Sequence, residues 1–177
     1  MKTIRSLNKE KVSKIVSGVA ILLDEALFLF GKRQELRDWQ GCTGGYFCLA
    51  DAETGLPFLI IPVGQVPVEK VGRYLSLCQE KAKRLAEHPE HQSSWESRNP
   101  DPEKDQWGGA VRVGDLIFSF SGLPETGDEA LMLAVAGSYC VATDSYHVAT
   151  PDKLTAIAAH STNGRWEHFQ KFLSQYA

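Results

Sequence analysis

The chain has 177 residues, of which 43% are hydrophobic and 23% are charged, and its formal net charge is −3. Disordered chains combine few apolar residues with high net charge, so this composition excludes them. The weak negative charge, without a long run of Lys or Arg, argues against nucleic acid as a partner. One core suffices for a chain of this length. We expect a single soluble domain over residues 1–177, with its core at about 10–140 and a C-terminal helical extension at 141–177.

Membrane and redox features favour a cytoplasmic protein. The apolar runs at 19–23 and 26–30 are too short to cross a bilayer. The N-terminus has no apolar core of the kind found in secretion signals. Four cysteines occur without a C-x-x-C pair, and all are expected to be reduced: Cys42, Cys48, Cys78 and Cys140. The sequence therefore predicts no membrane partner.

The first predicted element is a long helix that faces the core. Apolar residues recur at i, i+3, i+4 and i+7 spacing from Val12 to Phe30. Asn8 precedes this pattern as a helix cap, and Gly31 follows it as the terminating residue. This helix is an N-terminal extension to the sheet that follows.

A hairpin is predicted next, from two apolar runs at 46–49 and 56–63 that flank a five-residue turn. The second run contains Pro57 and Pro62, which have no amide hydrogen to donate to a strand ladder. This strand is therefore expected at an edge of the sheet.

A second helix and a long loop follow the hairpin. Pro67 fits the first helical turn, and Pro89 ends the helix. Three cations on this helix are expected to face water: Lys81, Lys83 and Arg84. Residues 89–106 are polar and show no periodicity, which is typical of a surface loop that is mobile or functional.

A second hairpin is predicted from residues 109–113 and 116–121, joined by the two-residue turn Gly114-Asp115. Short turns make the paired strands antiparallel. The order of elements predicts an α+β fold in which an antiparallel sheet of about five strands is flanked by helices.

The spacing of Thr126 and Glu129 is that of a capping box, which predicts the start of a third helix. This helix is expected to end near Gly137, and residues 139–143 are expected to form a short strand. In the tail, two more helices are predicted, one from Thr150 as cap and one from Arg165.

Several motifs of the chain resemble the haem-binding-protein HbpS and GlcG-like family. The resemblance covers about residues 10–137. The motifs are the segment from Gly45 to Gly55, Glu80-Lys81-Ala82-Lys83, Trp107-Gly108-Gly109, Phe120-Ser121-Gly122-Leu123-Pro124 and Asp128-Glu129-Ala130. The segment 31–44 and the tail after Cys140 lie outside the pattern, and no haem ligand of the family can be matched to a residue of this chain.

This resemblance implies a profilin-like sheet flanked by helices and frequent homo-oligomerisation. It also implies a binding role that is linked in some members to haem or iron. We treat haem as a possible cofactor and a second copy of the chain as an expected partner.

A candidate ligand site lies at the predicted entrance to the third helix. Hydroxyl groups, a glycine and a carboxylate gather there: Ser119, Ser121, Gly122, Thr126 and Asp128. The amides and the dipole of a helix N-terminus can hold an anionic group. The alternative interpretation is structural, because a helix cap and first turn require the same residue types.

A candidate metal site is formed by His88 and His91, with Glu87 and Glu90 nearby. Imidazole and carboxylate groups are ligands for zinc and iron. Against a metal, Pro89 is expected to spread these side chains apart, and histidines are common at solvated helix ends.

The chain contains no nucleophile elbow, P-loop, dinucleotide-binding fingerprint or H-E-x-x-H motif, so we expect no enzyme. The leading hypothesis is a non-catalytic, homo-oligomeric protein that binds a small molecule or cofactor. The alternative is a protein–protein interaction module without a small ligand. The locations of three tryptophans discriminate the two classes: Trp39, Trp95 and Trp107. If they line a concave pocket, they favour the binding protein, and if they form a flat exposed patch, they favour the interaction module.

Overall fold

The structure is a computed structural model that describes residues 9–31, 39–101, 103–143, 150–161, 166–167 and 170. In chain order its elements are α1 (Lys9–Gly31), β1 (Gly44–Asp51), β2 (Pro57–Gly64), a 3-10 turn (Val68–Lys70), α2 (Val71–Glu87), β3 (Ala110–Val113), β4 (Leu116–Ser121), α3 (Glu125–Ala142) and α4 (Pro151–His160). The predicted α+β fold is confirmed, as are both hairpins and the first two helices.

The described strands form one antiparallel sheet in the order β2-β1-β4-β3. β1 pairs with β2 on one side and with β4 on the other. The first hairpin (β1 and β2) and the second hairpin (β3 and β4) are therefore joined by the pairing of β1 with β4. β2 is an edge strand, as Pro57 and Pro62 predict, and the sheet has four strands where about five were expected. Both prolines are exposed.

Alternation along the strands sends side chains to two separate hydrophobic clusters. Phe47 and Phe118 point to one face of the sheet, where they join residues of α1 and α3. Cys48 and Ile117 point to the other face, where they pack against Cys78 of α2. The sheet is therefore covered by helices on both faces. No disulfide bond involves any of the four cysteines, all of which the structure describes, and of these only Cys42 is partly exposed.

The predicted strand at 139–143 is wrong, because α3 continues through these positions to Ala142. Tyr139 packs against the ring of Phe118, and Cys140 is buried in the same cluster. Gly137 does not end the helix. A Cβ atom at Gly137 would lie 3.0 Å from Leu154 Cδ1, so the glycine lets α4 pack closely against α3.

The predicted capping box is also wrong. α3 begins at Glu125, with Pro124 in the cap position and no side-chain cap bond. Thr126 therefore lies inside the first turn. Glu129 is fully buried and accepts hydrogen bonds from the hydroxyl groups of Ser93 and Ser161. Its carboxylate ties the helix to two other segments instead of closing the helix end.

Of the three cations that were expected to face water on α2, only Lys83 does so. Lys81 is 1% exposed and Arg84 is 6% exposed. Both lie on the side of α2 that carries the buried residues Cys78, Ala82 and Leu85. Both cations are buried next to polar partners from other segments of the chain.

Near the C-terminus, the predicted start of α4 is confirmed, since Thr150 Oγ1 accepts a hydrogen bond from Lys153 N at 3.3 Å. The predicted cap Asn8 and most of the predicted last helix lie outside the described residues. Among the described helices, none combines the length and the apolar character that a membrane crossing requires.

Candidate functional site

A buried ion pair joins α2 to the first turn of α3. Lys81 Nζ lies 2.7 Å from Asp128 Oδ2, and each side chain is 2% exposed. Lys81 Nζ also donates to the carbonyl oxygen of Phe120 at 2.9 Å. Asp128 Oδ1 accepts from the amide of Leu123 at 2.9 Å. The two charges are thus satisfied by each other, by the end of β4 and by the turn that follows it.

The environment of Asp128 changes its acidity. Burial raises its pKa to about 6, although Lys81 and the backbone amides of Leu123 and Gly122 oppose this shift. A carboxyl group with such a pKa changes its charge in a range that is accessible to experiment, and perturbed groups of this kind are concentrated at functional sites.

The ion pair forms the floor of an open pocket of about 280 Å³. The charged and hydroxyl-bearing lining residues come from α2, β4 and α3: Arg73, Lys81, Ser121, Glu125 and Asp128. Tyr74 and Trp107 add two aromatic side chains to the wall. Lining of both kinds is typical of small-molecule sites, in which apolar walls surround a few placed polar groups.

The rim of the pocket is held by Asp105. Its Oδ1 accepts from Arg73 Nη2 at 2.9 Å and from Trp107 Nε1 at 2.5 Å. Asp105 has a φ of 50°, which a non-glycine residue adopts rarely, although Asp tolerates it better than most. The loop therefore fixes both an aromatic wall and a cation of the pocket.

The loop at 89–106 is anchored to α2 by Arg84. Its guanidinium donates to the carbonyl oxygens of Ser94 at 2.7 Å and Trp107 at 2.6 Å. It also donates to Ser97 Oγ at 2.7 Å and to Glu80 Oε1 at 2.6 Å. The segment that was expected to be a mobile or functional surface loop is thus tied to a helix through one buried cation.

A second anchor lies between the loop and α3. Arg98 Nη2 donates to Glu125 Oε1 at 2.7 Å, and the guanidinium lies 4.4 Å from the ring centre of Trp95. Glu125 Oε2 also accepts from the amide of Gly108 at 3.1 Å. Glu125 therefore connects the pocket lining to the end of the loop.

The structure separates the five predicted ligand residues. Ser121 and Asp128 line the pocket. Ser119 is fully buried, and its hydroxyl donates to the carbonyl oxygen of Cys78 at 2.8 Å, which joins β4 to α2. Thr126 is half-buried in the first turn of α3 and is not part of the pocket lining.

The fifth residue, Gly122, lies against the start of β1. A Cβ atom at this position would lie 2.4 Å from the carbonyl oxygen of Gly44 and 2.6 Å from Gly45 Cα. The close approach of two backbone segments explains the glycine without a ligand. A larger residue at Gly122 would disturb the sheet itself, so it is unsuitable as a probe of binding.

The two histidines predicted as metal ligands lie together after α2. One ligand atom from each of His88, Glu90 and His91 lies within 4.8 Å of the other two. The imidazole rings are stacked, with their centres 4.8 Å apart and an angle of 17° between their planes. Pro89 therefore brings the side chains together, contrary to the expectation that it spreads them apart.

Sequence reasoning missed the roles of Lys81, Arg84 and Glu125 in this region. A signal for Lys81 was present, because it follows Cys78 by three residues and precedes Leu85 by four, within the apolar stripe of α2. The tryptophans also differ from one another. Trp107 lines the pocket, Trp39 is in the core at 1% exposure, and Trp95 packs beneath Arg98.

Comparisons with known proteins add one structural neighbour. The Klebsiella pneumoniae protein ORFY, of the family DUF336, has a TM-score of 0.48 and 12% sequence identity to this chain. The alignment covers 78% of this chain and 94% of ORFY. DUF336 is the GlcG-like family. No family model matches the chain, and no curated protein matches it. A likeness of this extent assigns neither a family nor a ligand to the chain.

Proposed function

We propose that this protein binds a small polar molecule in the pocket above Lys81 and Asp128, without catalysing a reaction. The observation that carries the proposal is the buried ion pair at the floor of a concave site. Burying two charges costs more than burying apolar side chains of similar size, so such a pair is weak evidence for a stabilising role. The pair lines the same pocket as the aromatic side chains of Tyr74 and Trp107, which favours recognition of a ligand.

The charges of the lining favour a neutral or zwitterionic ligand. Lys81 and Asp128 balance each other, and at the rim Arg73 is balanced by Asp105. The carboxylate of Asp128 already accepts the amide of Leu123 at the entrance to α3. An anion at this entrance would be repelled by the carboxylate of Asp128. In place of a simple anion, we therefore propose a ligand that carries both hydrogen-bond donors and acceptors.

The walls favour a planar group of modest size. Tyr74 and Trp107 are half-buried and offer aromatic surface. Pockets for drug-sized ligands span roughly 300–1,000 Å³, and this one lies at the lower limit. An amino acid or a nucleobase has suitable dimensions and hydrogen-bonding groups.

Haem is not the ligand that we propose, because the pocket of about 280 Å³ lies at the lower limit even for drug-sized molecules. Tyr74 is the one residue of the described lining whose type could serve as an axial ligand to haem iron. His88 and His91 belong to a separate turn. The relationship to the HbpS and GlcG-like family is part of the proposal, supported by the pocket residues Ser121 and Asp128 that lie in the resembling motifs.

The binding proposal predicts that wild-type protein is stabilised by at least one member of a panel of amino acids, nucleobases and nucleosides. Carboxylic acids and inorganic phosphate are tested as anionic ligands, and haem is tested as a cofactor. Tyr74→Leu is expected to weaken binding about tenfold, because it removes an aromatic contact. Unfolding temperature and ligand-observed NMR measure the effect.

Leu56→Ala is the control, since Leu56 is 58% exposed and lies outside the pocket. It should leave the affinity unchanged. If wild-type protein binds no member of the panel, the pocket proposal fails and the interaction module becomes the better account. Equal affinity of Tyr74→Leu and wild type would show that the ligand binds outside this pocket.

Self-association is a second part of the proposal, with another copy of this chain as the partner. Helices cover both faces of the sheet, so an open sheet face provides no support for it. Support comes from Ile21 and Phe28, which are seven residues apart on α1 and are each 61% exposed. Residues at this spacing share one side of a helix.

We expect a dimer or larger assembly when the molar mass is measured by light scattering at high micromolar concentration. Ile21→Glu should shift the protein towards the monomer, because it places a charge in the proposed contact. The control Glu10→Gln changes an exposed charge in the first turn of the same helix. A wild-type monomer at this concentration would contradict the proposal.

A further inference from the structure

We propose that His88, Glu90 and His91 form a binding site for a divalent first-row transition-metal ion, such as Zn²⁺, at the C-terminal end of α2. The site is independent of the pocket. It follows Lys81 by seven residues, which corresponds to about 10 Å along a helix at roughly 1.5 Å per residue.

A tight turn assembles the three ligands. α2 ends at Glu87, and the amide of His91 donates to the carbonyl oxygen of His88 at 3.0 Å. Pro89 occupies the second position of this turn, where its fixed φ is favourable. The histidines are the first and last residues of the turn, and Glu90 lies between them. The four-residue segment thus brings two imidazoles and a carboxylate close together.

The distances within the cluster suit coordination. Glu90 Oε1 lies 3.2 Å from His88 Nδ1 and 3.5 Å from His91 Nε2. In a tetrahedral zinc site with bonds of roughly 2.0–2.1 Å, neighbouring ligand atoms are separated by about 3.3 Å. Two of the three distances between the ligand atoms are therefore close to the required value. To bring the nitrogens of the two histidines to the same separation, the rings must rotate out of their stacked arrangement. The side chain of His88 is 43% exposed, so it has room to rotate.

The ligand set selects the class of ion. Imidazole nitrogen suits Zn²⁺, Co²⁺ and Ni²⁺, whereas an oxygen-only site would suit Mg²⁺ or Ca²⁺. Glu90 adds a carboxylate oxygen, which is also a ligand that zinc accepts. Three protein ligands leave a fourth position for water.

Arg112 both orders the turn and limits its affinity. Its guanidinium donates to the carbonyl oxygens of His91 at 3.1 Å and His88 at 3.2 Å, and also to Ala52 at 2.6 Å. These bonds hold the backbone of the turn in place before a metal arrives. The same positive charge interacts with Glu90, so it competes with a bound cation. We therefore expect weaker binding than in a closed site of four protein ligands.

The test uses Co²⁺ as a spectroscopic probe and full-length protein without a histidine tag. Titration of wild-type protein should give a saturable visible absorption band at one ion per chain, and Zn²⁺ should displace Co²⁺. His88→Ala, His91→Ala and Glu90→Gln should each weaken binding by about tenfold or more, since even loss of an outer-shell partner costs roughly 10–100-fold.

Two controls separate this site from other ligands. His160→Ala removes an exposed histidine of α4, and Cys42→Ser removes the partly exposed thiol. Both should bind Co²⁺ as the wild type does. Circular dichroism of each variant without metal identifies any loss of folding, and Glu90→Gln is the variant least expected to affect the fold. Absence of saturable binding by the wild type, or unchanged affinity in both His91→Ala and Glu90→Gln, would overturn the proposal.

Discussion

Lys81→Met is expected to lower the free energy of unfolding by about 3–5 kcal/mol at neutral pH, because it leaves the buried carboxylate of Asp128 without its cation. Lys81 is in contact with Asp128 at 2.7 Å and with the carbonyl oxygen of Phe120 at 2.9 Å. Met fills a similar volume, so the loss reports on charge and hydrogen bonding more than on packing. Urea unfolding followed by circular dichroism measures the change.

Lys83→Met is a matched control, since the same substitution two residues further along α2 affects a side chain that is 72% exposed. It should change stability by less than about 0.5 kcal/mol. The double variant Lys81→Met/Asp128→Asn should recover most of the lost stability. It removes both charges of the pair, and the Asn oxygen can still accept from Leu123. Equal losses for Lys81→Met and Lys83→Met would contradict the burial of the pair.

The same pair should make stability depend on pH in a particular direction. The pKa of Asp128 is raised to about 6 in the folded protein, so the folded state holds a proton that the unfolded state releases from about pH 4 upwards. Stability supplied by this group is greatest below the unfolded pKa and is lost as the pH rises to about 6. The difference between wild type and Asp128→Asn should thus fall by about 3 kcal/mol across this range. A difference that does not vary with pH would contradict the raised pKa.

The second large effect is expected for Arg84→Met, at about 2–4 kcal/mol of unfolding free energy. The substitution removes the donors to the carbonyl oxygens of Ser94 and Trp107, and each buried acceptor without a partner costs about 1–3 kcal/mol. Because these bonds fasten the loop at 89–106, limited proteolysis within the loop should become faster at the same time. Arg84→Lys should recover little, since one ammonium group cannot reproduce the planar fork of bonds.

Arg73→Met is the control for Arg84. Arg73 is on the same helix, but its side chain is 61% exposed and its pair with Asp105 lies at the surface. Surface ion pairs contribute about 0–1 kcal/mol. If Arg84→Met destabilises the protein no more than Arg73→Met, the anchoring role of Arg84 is wrong.

The sequence by itself determined the elements whose signals are local. The first hairpin follows from turn residues between apolar runs, and the edge position of β2 follows from the missing amide hydrogens of Pro57 and Pro62. The start of α4 follows from a cap and a proline in adjacent positions, Thr150 and Pro151. Each of these depends on backbone geometry over a few residues, so no distant partner is needed to predict it.

Only the tertiary structure decided where the polar groups of the candidate sites lie. The partner of Lys81 is 47 residues away in the chain, and the carbonyl oxygen of Trp107 that receives Arg84 is 23 residues away. Periodicity identifies a helix face, but a long cation on that face is buried only if another element supplies an acceptor for it. For the same reason Asp128 could be predicted near a helix start but not as the floor of a pocket. Its raised pKa arises because the folded chain buries the carboxyl group away from water.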